Sequence, residues 1–198
     1  MKKLLLSICV FAFSIQINAQ TPNLTWAKGI GGSLSDVGTS IVTDLNGNIY
    51  TTGYYSGTMD FDPSLNSYTL SSNAGIDFYI SKLDANGNFV WAKSVGGINN
   101  DFAYGITLDL IGNVIVTGFF AGTVDFDPNV GVTNLNSALA NGIFVLKLDA
   151  LGNFIWAKAM YGNSYANGLA VKTDAIGNIY TTGLYKGNNY QQIKFIKQ

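Results

Sequence analysis

The chain has 198 residues, of which 47% are hydrophobic, 13% aromatic and only 12% charged, a composition that excludes a disordered chain. All 12 acidic residues are aspartate and all 11 basic residues are lysine, so the sequence contains no glutamate, arginine or histidine. The absence of histidine excludes a Ser-His-Asp or Cys-His nucleophile, and a formal net charge of −1 argues against nucleic acid as a partner. Frequent glycine, asparagine and aspartate favour turns over helices, so we predict an all-β fold.

The first predicted element is an export signal at residues 1–19. Two lysines precede an apolar run over residues 4–17, and Ala19 supplies a small residue before the expected cleavage. The run is shorter than the about 20 residues of a membrane-spanning helix, and no later segment is more apolar, so we predict no transmembrane segment. The only cysteine, Cys9, falls inside the signal. We therefore expect a cysteine-free chain of residues 20–198, secreted to the exterior or the cell surface.

The remainder of the chain repeats with a period of 65 residues. Three Trp-Ala-Lys triplets begin at Trp26, Trp91 and Trp156, and an Asp-Phe-Asp-Pro segment at residues 60–63 returns at residues 125–128. Self-similarity at a fixed period is the signature of a repeat architecture. The predicted repeats cover about residues 26–90, 91–155 and, incompletely, 156–198.

A shorter motif, Asp-x-x-Gly-Asn followed by an apolar run, predicts β-hairpin turns. Aspartate can accept backbone hydrogen bonds at the first position, and glycine can adopt the positive φ that closes a type I turn with a bulge. The flanking residues are β-branched or aromatic, as in strands. Two hairpins per repeat give four antiparallel strands, which is the unit of a β-propeller blade. The motif begins at Asp44, Asp84, Asp109, Asp149 and Asp174.

These patterns predict a β-propeller-like array of about three four-stranded antiparallel blades, each of 65 residues. The first two sets of four strands each end in a Trp-Ala-Lys strand, whereas the third set, which begins at about Gly168, lacks one. An unmatched Trp-Ala-Lys strand stands at residues 24–28, so we expect this N-terminal strand to complete the last blade. Closed propellers have about four to eight blades. Three interpretations therefore stay open: a homodimer that closes a six-blade ring, a truncated copy of a longer multi-blade protein, or an open array.

The stretch from Lys82 to Gly97 resembles the SBBP repeat, a β-propeller-type repeat of secreted bacterial proteins. The Asp-Phe-Asp-Pro element and the Gly-Asn-Val-Ile-Val-Thr-Gly pattern at residues 112–118 are similar to the same family, and the resemblance spans roughly residues 24–183. It implies export, and usually a longer chain with more blades and a C-terminal sorting domain that is not recognisable here. The family carries no established catalytic residues, so the resemblance transfers none.

Two pairs of aspartates are the candidate site residues, Asp60 with Asp62 and Asp125 with Asp127. Carboxylates one residue apart on a strand share a face at about 7 Å, and could bind a calcium-type cation or act as an acid–base pair. The interpretation that we favour is that each aspartate caps a turn before the following proline, while the intervening phenylalanine enters the blade. We expect no cofactor other than this possible calcium.

Two further sets of residues have a structural and a functional interpretation. The three repeat tryptophans could be stacking platforms for sugars, but their recurrence once per blade beside apolar neighbours favours packing between blades. Asp36 and Asp101 precede the first strand of their blades, and we expect them to be solvated loop acids.

Together these observations favour a secreted, non-enzymatic β-propeller repeat module for binding or for cell-surface or extracellular structure. Its ligand, protein or carbohydrate, is not specified. One alternative is a carbohydrate-active propeller enzyme that uses the paired aspartates, and another is a fragment of a longer multi-blade secreted protein. An acid in one blade without a counterpart in the others would favour the enzyme, whereas the paired aspartates recur in two repeats.

Overall fold

A computed structural model describes residues 23–137, 140–161, 165–186 and 190–194. These residues form strands and turns without any helix, which confirms the all-β prediction. Accordingly, nothing in this part of the chain is a helix that could cross a membrane. The predicted signal peptide at residues 1–19 lies outside the described residues.

The first blade is one antiparallel sheet whose main strands lie side by side in chain order. A two-residue strand, β1 (Gly31–Gly32), pairs with the far end of the second main strand. The main strands are β2 (Asp36–Thr43), β3 (Ile49–Asp60), β4 (Thr69–Leu83) and β5 (Phe89–Val95).

The second blade repeats this four-stranded order. Its strands are β6 (Phe102–Leu108), β7 (Val114–Phe120), β10 (Gly142–Leu148) and β11 (Phe154–Tyr161). Between β7 and β10, the short strands β8 (Thr123–Asp125) and β9 (Asn134–Asn136) pair as a separate ribbon. This ribbon takes the place of the paired outer ends of β3 and β4 in the first blade.

The third sheet contains three strands in the described part of the chain, β12 (Tyr165–Thr173), β13 (Ile179–Lys186) and β14 (Tyr190–Lys194). They correspond to the first three strands of the other blades. The three sheets confirm a propeller-like array of antiparallel blades.

The N-terminal segment does not complete the third blade, contrary to our expectation. Residues 23–30 belong to no strand, and Trp26 and Lys28 lie against Gly87 in the β4–β5 turn of the first blade. The segment cannot reach the third blade, because it is connected to β1 by only a few residues. Strand β1 is paired with β3 and begins three residues after Lys28, and three residues span at most about 10 Å.

All five Asp-x-x-Gly-Asn motifs form the predicted turn. In each, the glycine N–H donates to the aspartate carbonyl at 3.0 or 3.1 Å, and the glycine φ lies between 77° and 85°. One carboxylate oxygen accepts two backbone N–H groups, as at Asp84, which lies 2.8 Å from the nitrogens of both Asn86 and Asn88. The left-handed φ favours glycine, so the motif specifies its own geometry.

The main hydrophobic core lies between the first and second blades, whose sheets pack face to face. Phe78 of the first blade stacks on Phe144 of the second with ring centroids 4.5 Å apart, and both rings are fully buried. A smaller cluster of Ile115, Val145 and Val171 joins the second blade to the third. Each blade is therefore stabilised by its neighbour rather than by its own sheet alone.

Polar contacts also join consecutive blades along their inner strands, β2, β6 and β12. The Thr39 Oγ1 hydroxyl donates to the Ala103 carbonyl of the second blade at 2.8 Å. In the same way, the Thr173 Oγ1 hydroxyl of the third blade donates to the Leu108 carbonyl at 2.8 Å. These bonds satisfy backbone carbonyls at the contact between neighbouring sheets.

Trp91 packs between two blades, as predicted for the repeat tryptophans. Trp91 is almost fully buried, and its Nε1 donates to a carbonyl in the turn before β11 of the next blade at 3.2 Å. Trp26 contacts Gly87 in the same way as Trp91 contacts Gly152. In both contacts the indole Cδ2 is among the atoms nearest to the position that a Cβ on the glycine would take. The N-terminal Trp-Ala-Lys segment thus occupies the position of the outer strand of a blade that would precede the first.

Candidate functional site

The first predicted aspartate pair caps turns at the end of β3. Asp60 Oδ1 accepts the N–H groups of Asp62 and Tyr68 at 3.0 and 2.9 Å, and Asp62 Oδ1 accepts the N–H of Ser64 at 2.9 Å. These backbone hydrogen bonds lower the pKa of Asp60. Phe61, between the two aspartates, is fully buried. The turn-capping interpretation is confirmed for this pair.

The second pair repeats the same contacts in the second blade. Asp125 Oδ1 accepts the N–H groups of Asp127 and Thr133 at 3.1 and 2.8 Å, and Asp127 Oδ1 accepts the N–H of Asn129 at 2.9 Å. The structure keeps the two pairs in separate blades. In the described ranges no three acidic, histidine or cysteine side chains come together as a metal-binding group. Calcium binding at these pairs stays a prediction.

Four aromatic rings form a cluster near the start of the inner strands, where the first two blades meet. Tyr54 comes from β3, and Phe102, Tyr104 and Phe119 come from β6 and β7. The Tyr54 and Phe102 rings meet edge to face with centroids 4.5 Å apart, and Phe102 stacks on Phe119 at 4.9 Å. All four side chains are half-buried, so this aromatic cluster presents part of its surface to solvent.

The aromatic cluster is specific to this junction and is not a property of the repeat. At the position of Tyr104 the other repeats carry Thr39 and Leu169, and Phe102 corresponds to a valine and an asparagine. Half-exposed tyrosine and phenylalanine rings offer apolar area at one end and hydroxyl groups at the other, which suits ligand binding. Sequence reasoning missed this cluster, although a comparison between repeats at these positions could have found it.

Two aspartates are buried at the same end of the array. Asp77, in β4, pairs with Tyr55 beside the aromatic cluster, and Asp101 immediately precedes β6. Asp77 is 1% exposed and Asp101 is 0% exposed, so the expectation that Asp101 is a solvated loop acid is wrong. Asp101 holds the chain where it enters β6, because its carboxylate accepts the N–H groups of Gly97 and Ala121 at 2.7 and 2.9 Å.

Burial changes the acidity of both carboxyls, raising the pKa of Asp77 to about 6 and that of Asp101 to about 7. Asp77 Oδ2 accepts the N–H of Asn73 at 2.9 Å, but its Oδ1 accepts no hydrogen bond. Sequence reasoning missed Asp77, which has Gly142 as its counterpart in the second blade. Asp77 is an acid without a counterpart in the other blades, which is the feature that a carbohydrate-active enzyme would require. However, the Asp77 side chain is buried, so a polysaccharide substrate could not contact it.

The outward face of the first blade is an open cleft of about 550 Å³. Ile41, Ile49 and Thr51 line it together with Trp26. Ile41 is 66% exposed, whereas Ile106 at the same position in the second blade is 3% exposed because the first blade covers it. The cleft therefore marks where a preceding blade would pack.

Comparisons with known proteins agree with this architecture. Residues 25–54 match the SBBP family model, described as a β-propeller repeat. Over 206 residues the chain is 29% identical to an uncharacterized WD repeat-containing protein of Acanthamoeba polyphaga mimivirus, a match that covers 89% of this chain but 14% of that protein. The chain thus spans about one seventh of the length of that relative. The matched repeat, the WD-repeat relative and the stacked antiparallel sheets identify the chain as a propeller-type repeat protein that contains an SBBP β-propeller repeat.

Proposed function

We propose that this chain is a secreted, non-enzymatic β-propeller repeat module that binds a ligand through the aromatic cluster. The observation that carries the proposal is the set of half-buried rings that two blades contribute, in which Phe102 and Tyr104 stand where the other repeats are aliphatic or polar. The family match and the WD-repeat relative support a repeat or binding module. A non-enzymatic role is supported by the placement of the candidate acids, which cap turns or are buried.

A neutral carbohydrate is the ligand class that fits the aromatic cluster best. Sugar rings present C–H groups that the electron-rich aromatic faces attract, while the Tyr54 and Tyr104 hydroxyls can hydrogen-bond to sugar hydroxyls. Burial raises the pKa of Tyr104, so this hydroxyl keeps its proton at neutral pH. A protein ligand would need about 800 Å² on each side, far more than four partly covered rings supply.

Removal of the Tyr104 ring tests this proposal. We expect Tyr104→Ala to weaken the retention of the protein by a neutral polysaccharide about fivefold, since one aromatic contact contributes about 1 kcal/mol. Affinity electrophoresis against a panel of soluble neutral polysaccharides measures this change. The matched control is Tyr68→Ala, because Tyr68 is also partly exposed and packs on Phe89 at 4.6 Å away from the cluster.

Two outcomes would contradict the carbohydrate proposal. In one, no neutral polysaccharide retards the unmodified protein. In the other, Tyr104→Ala and Tyr68→Ala reduce the retention equally, which would make the loss a general effect of removing a surface ring. Binding to a protein instead, with the same sensitivity to Tyr104→Ala, would keep the site but overturn its ligand class.

We further propose that two copies complete one another as a six-blade ring. The open cleft on the first blade and the exposed Ile41 support this, since the equivalent face of the second blade is covered. In a two-fold dimer, the third blade of one protomer packs on the first blade of the other, and residues 24–28 of the second protomer supply its fourth strand. The alternative is that further blades of a longer protein occupy the same position, in keeping with the small share of the WD-repeat relative that the chain covers.

A further inference from the structure

The proposed function makes no use of the two buried aspartates at the junction of the first and second blades. Asp77 and Asp101 vary together between repeats, because their counterparts at the junction of the second and third blades are Gly142 and Ala166. Both acids are present at one junction and both are absent at the next. Asp101 also has Asp36 as its counterpart in the first repeat, so the feature that sets this junction apart is the presence of Asp77 next to this position. The two residues are close because the Asp101 N–H donates to the carbonyl of Ile76 at 2.7 Å.

Two buried carboxylates are unfavourable unless a positive partner binds them. Burial is the main cause of the raised pKa of Asp101, and the charge of Asp77 raises it further. No lysine compensates them within the described residues, where the ion pair that forms joins Lys147 to Asp109 in the second blade. The hydrogen-bond donors to the two carboxylates are the backbone N–H groups of Asn73, Gly97 and Ala121.

The unpartnered oxygen of the pair is Asp77 Oδ1, which is buried and accepts no hydrogen bond. The Asp77 carboxylate packs so closely on Gly96 that a Cβ there would overlap it, so Gly96 makes room for the group. Neutral oxygens also lie next to β4 just before Asp77, because Asn100 Oδ1 accepts the N–H of Ile76 at 3.1 Å and the Asn99 carbonyl lies against Gly75. Carboxylates together with amide and carbonyl oxygens are the ligands that hard divalent cations prefer.

We propose that Asp77 and Asp101 bind one hard divalent cation of the calcium class between the first two blades. The cation supplies the missing positive charge and connects β4 of the first blade to the segment that enters β6 of the second. Its role is to stabilise the junction next to the aromatic cluster. Protons compete with it, since both carboxyls are neutral below their raised pKa values, and its affinity therefore increases with pH.

Thermal unfolding of the purified protein at pH 5 and pH 8, in calcium chloride and in EDTA, tests this site. At pH 8 we expect calcium at about a hundred times its Kd to raise the Tm by about 5–10 °C, and to have much less effect at pH 5. Asp77→Asn is expected to abolish the shift. The matched control is Asp60→Asn combined with Asp62→Asn, which removes one of the two turn-capping carboxylate pairs and is expected to keep the shift.

Terbium luminescence gives a second readout that does not depend on stability. Terbium replaces calcium in oxygen-ligand sites, and we expect its sensitised emission to need Asp77 and to fall when calcium is added. The proposal is overturned if calcium leaves the Tm unchanged at pH 8, or if Asp77→Asn retains both the shift and the terbium signal. If the combined Asp60→Asn and Asp62→Asn variant loses both signals and Asp77→Asn keeps them, the cation binds at the Asp-Phe-Asp-Pro turn and not at Asp77.

Discussion

At the scale of single residues, the aspartates of this chain fall into two groups with opposite effects of pH. The turn aspartates accept several hydrogen bonds, which lower the pKa of Asp84 and bring that of Asp174 to about 2. Asp77 and Asp101 are buried, and their pKa values are raised to about 6 and about 7. The first group stabilises the fold above about pH 4 and loses this effect in acid, whereas the second destabilises it as the pH rises.

The pH dependence of stability tests the assignment of the buried pair. A carboxyl whose pKa is raised from 3.8 to about 6 binds its proton more tightly in the folded state, so stability falls as the pH rises through this range. In EDTA we expect Asp77→Asn, which cannot ionise, to be more stable than the unmodified protein at pH 8 by about 2–3 kcal/mol. At pH 4.5 the difference is expected to be small.

Urea unfolding at the two pH values measures this difference. The control is Asp84→Asn, since the lowered pKa of the half-buried Asp84 keeps it ionised at both pH values, and its substitution should change stability by a similar amount at each. If Asp77→Asn is less stable than the unmodified protein by the same amount at pH 8 and at pH 4.5, the assignment of a raised pKa to Asp77 is contradicted.

At the scale of elements, the hairpin turn also joins one blade to the next. The turn glycines share a left-handed φ, but their surroundings differ. A Cβ at Gly152 would lie 3.2 Å from the Trp91 indole of the preceding blade, whereas a Cβ at Gly177 would meet nothing within 4 Å. The same turn therefore supports a blade contact in one place and stands free in the other.

Alanine substitution of these two glycines separates backbone strain from the contact between blades. We expect Gly177→Ala to cost about 1 kcal/mol of the free energy of unfolding, which is the cost of a left-handed φ in a residue with a Cβ. Gly152→Ala is expected to cost about 1 kcal/mol more, because the Trp91 ring must move. Urea unfolding of both variants measures the two losses, and equal losses would argue against a Trp91 contact in solution.

The turns and the strands of a blade could be predicted from the sequence because their signals are local. The aspartate and glycine of each Asp-x-x-Gly-Asn motif specify the turn, and alternating β-branched residues specify the flanking strands. The position of residues 24–28 could not be predicted, because it depends on the pairing of β1 with β3. The aromatic cluster and the Asp77–Asp101 pair were also missed, since stacking brings together residues from two repeats. Their signal in the sequence is departure from the repeat at Phe102, Tyr104 and Asp77.

At the scale of the whole molecule, the outward face of the first blade differs in polarity from the faces that are packed between blades. On the outward face of the first blade, Thr51 and Ser81 hydrogen-bond at 2.7 Å where the second blade carries Val116 and Leu146. A more polar outer face is typical of a terminal repeat. Yet Ile41 stays 66% exposed on this face, beside the open cleft. The face thus retains apolar surface that a further blade would cover.

The molar mass of the purified protein, measured by light scattering behind a sizing column, shows whether a second copy completes the array. We expect a single species of twice the mass of one chain, in which each first blade is covered by the third blade of its partner. Ile41→Lys is expected to return the mass to that of one chain. Leu110→Lys, which places the same charge at an exposed turn position outside the cleft, is expected to leave the dimer intact. A stable, monodisperse monomer of the unmodified protein would contradict the claim that a second copy completes the array.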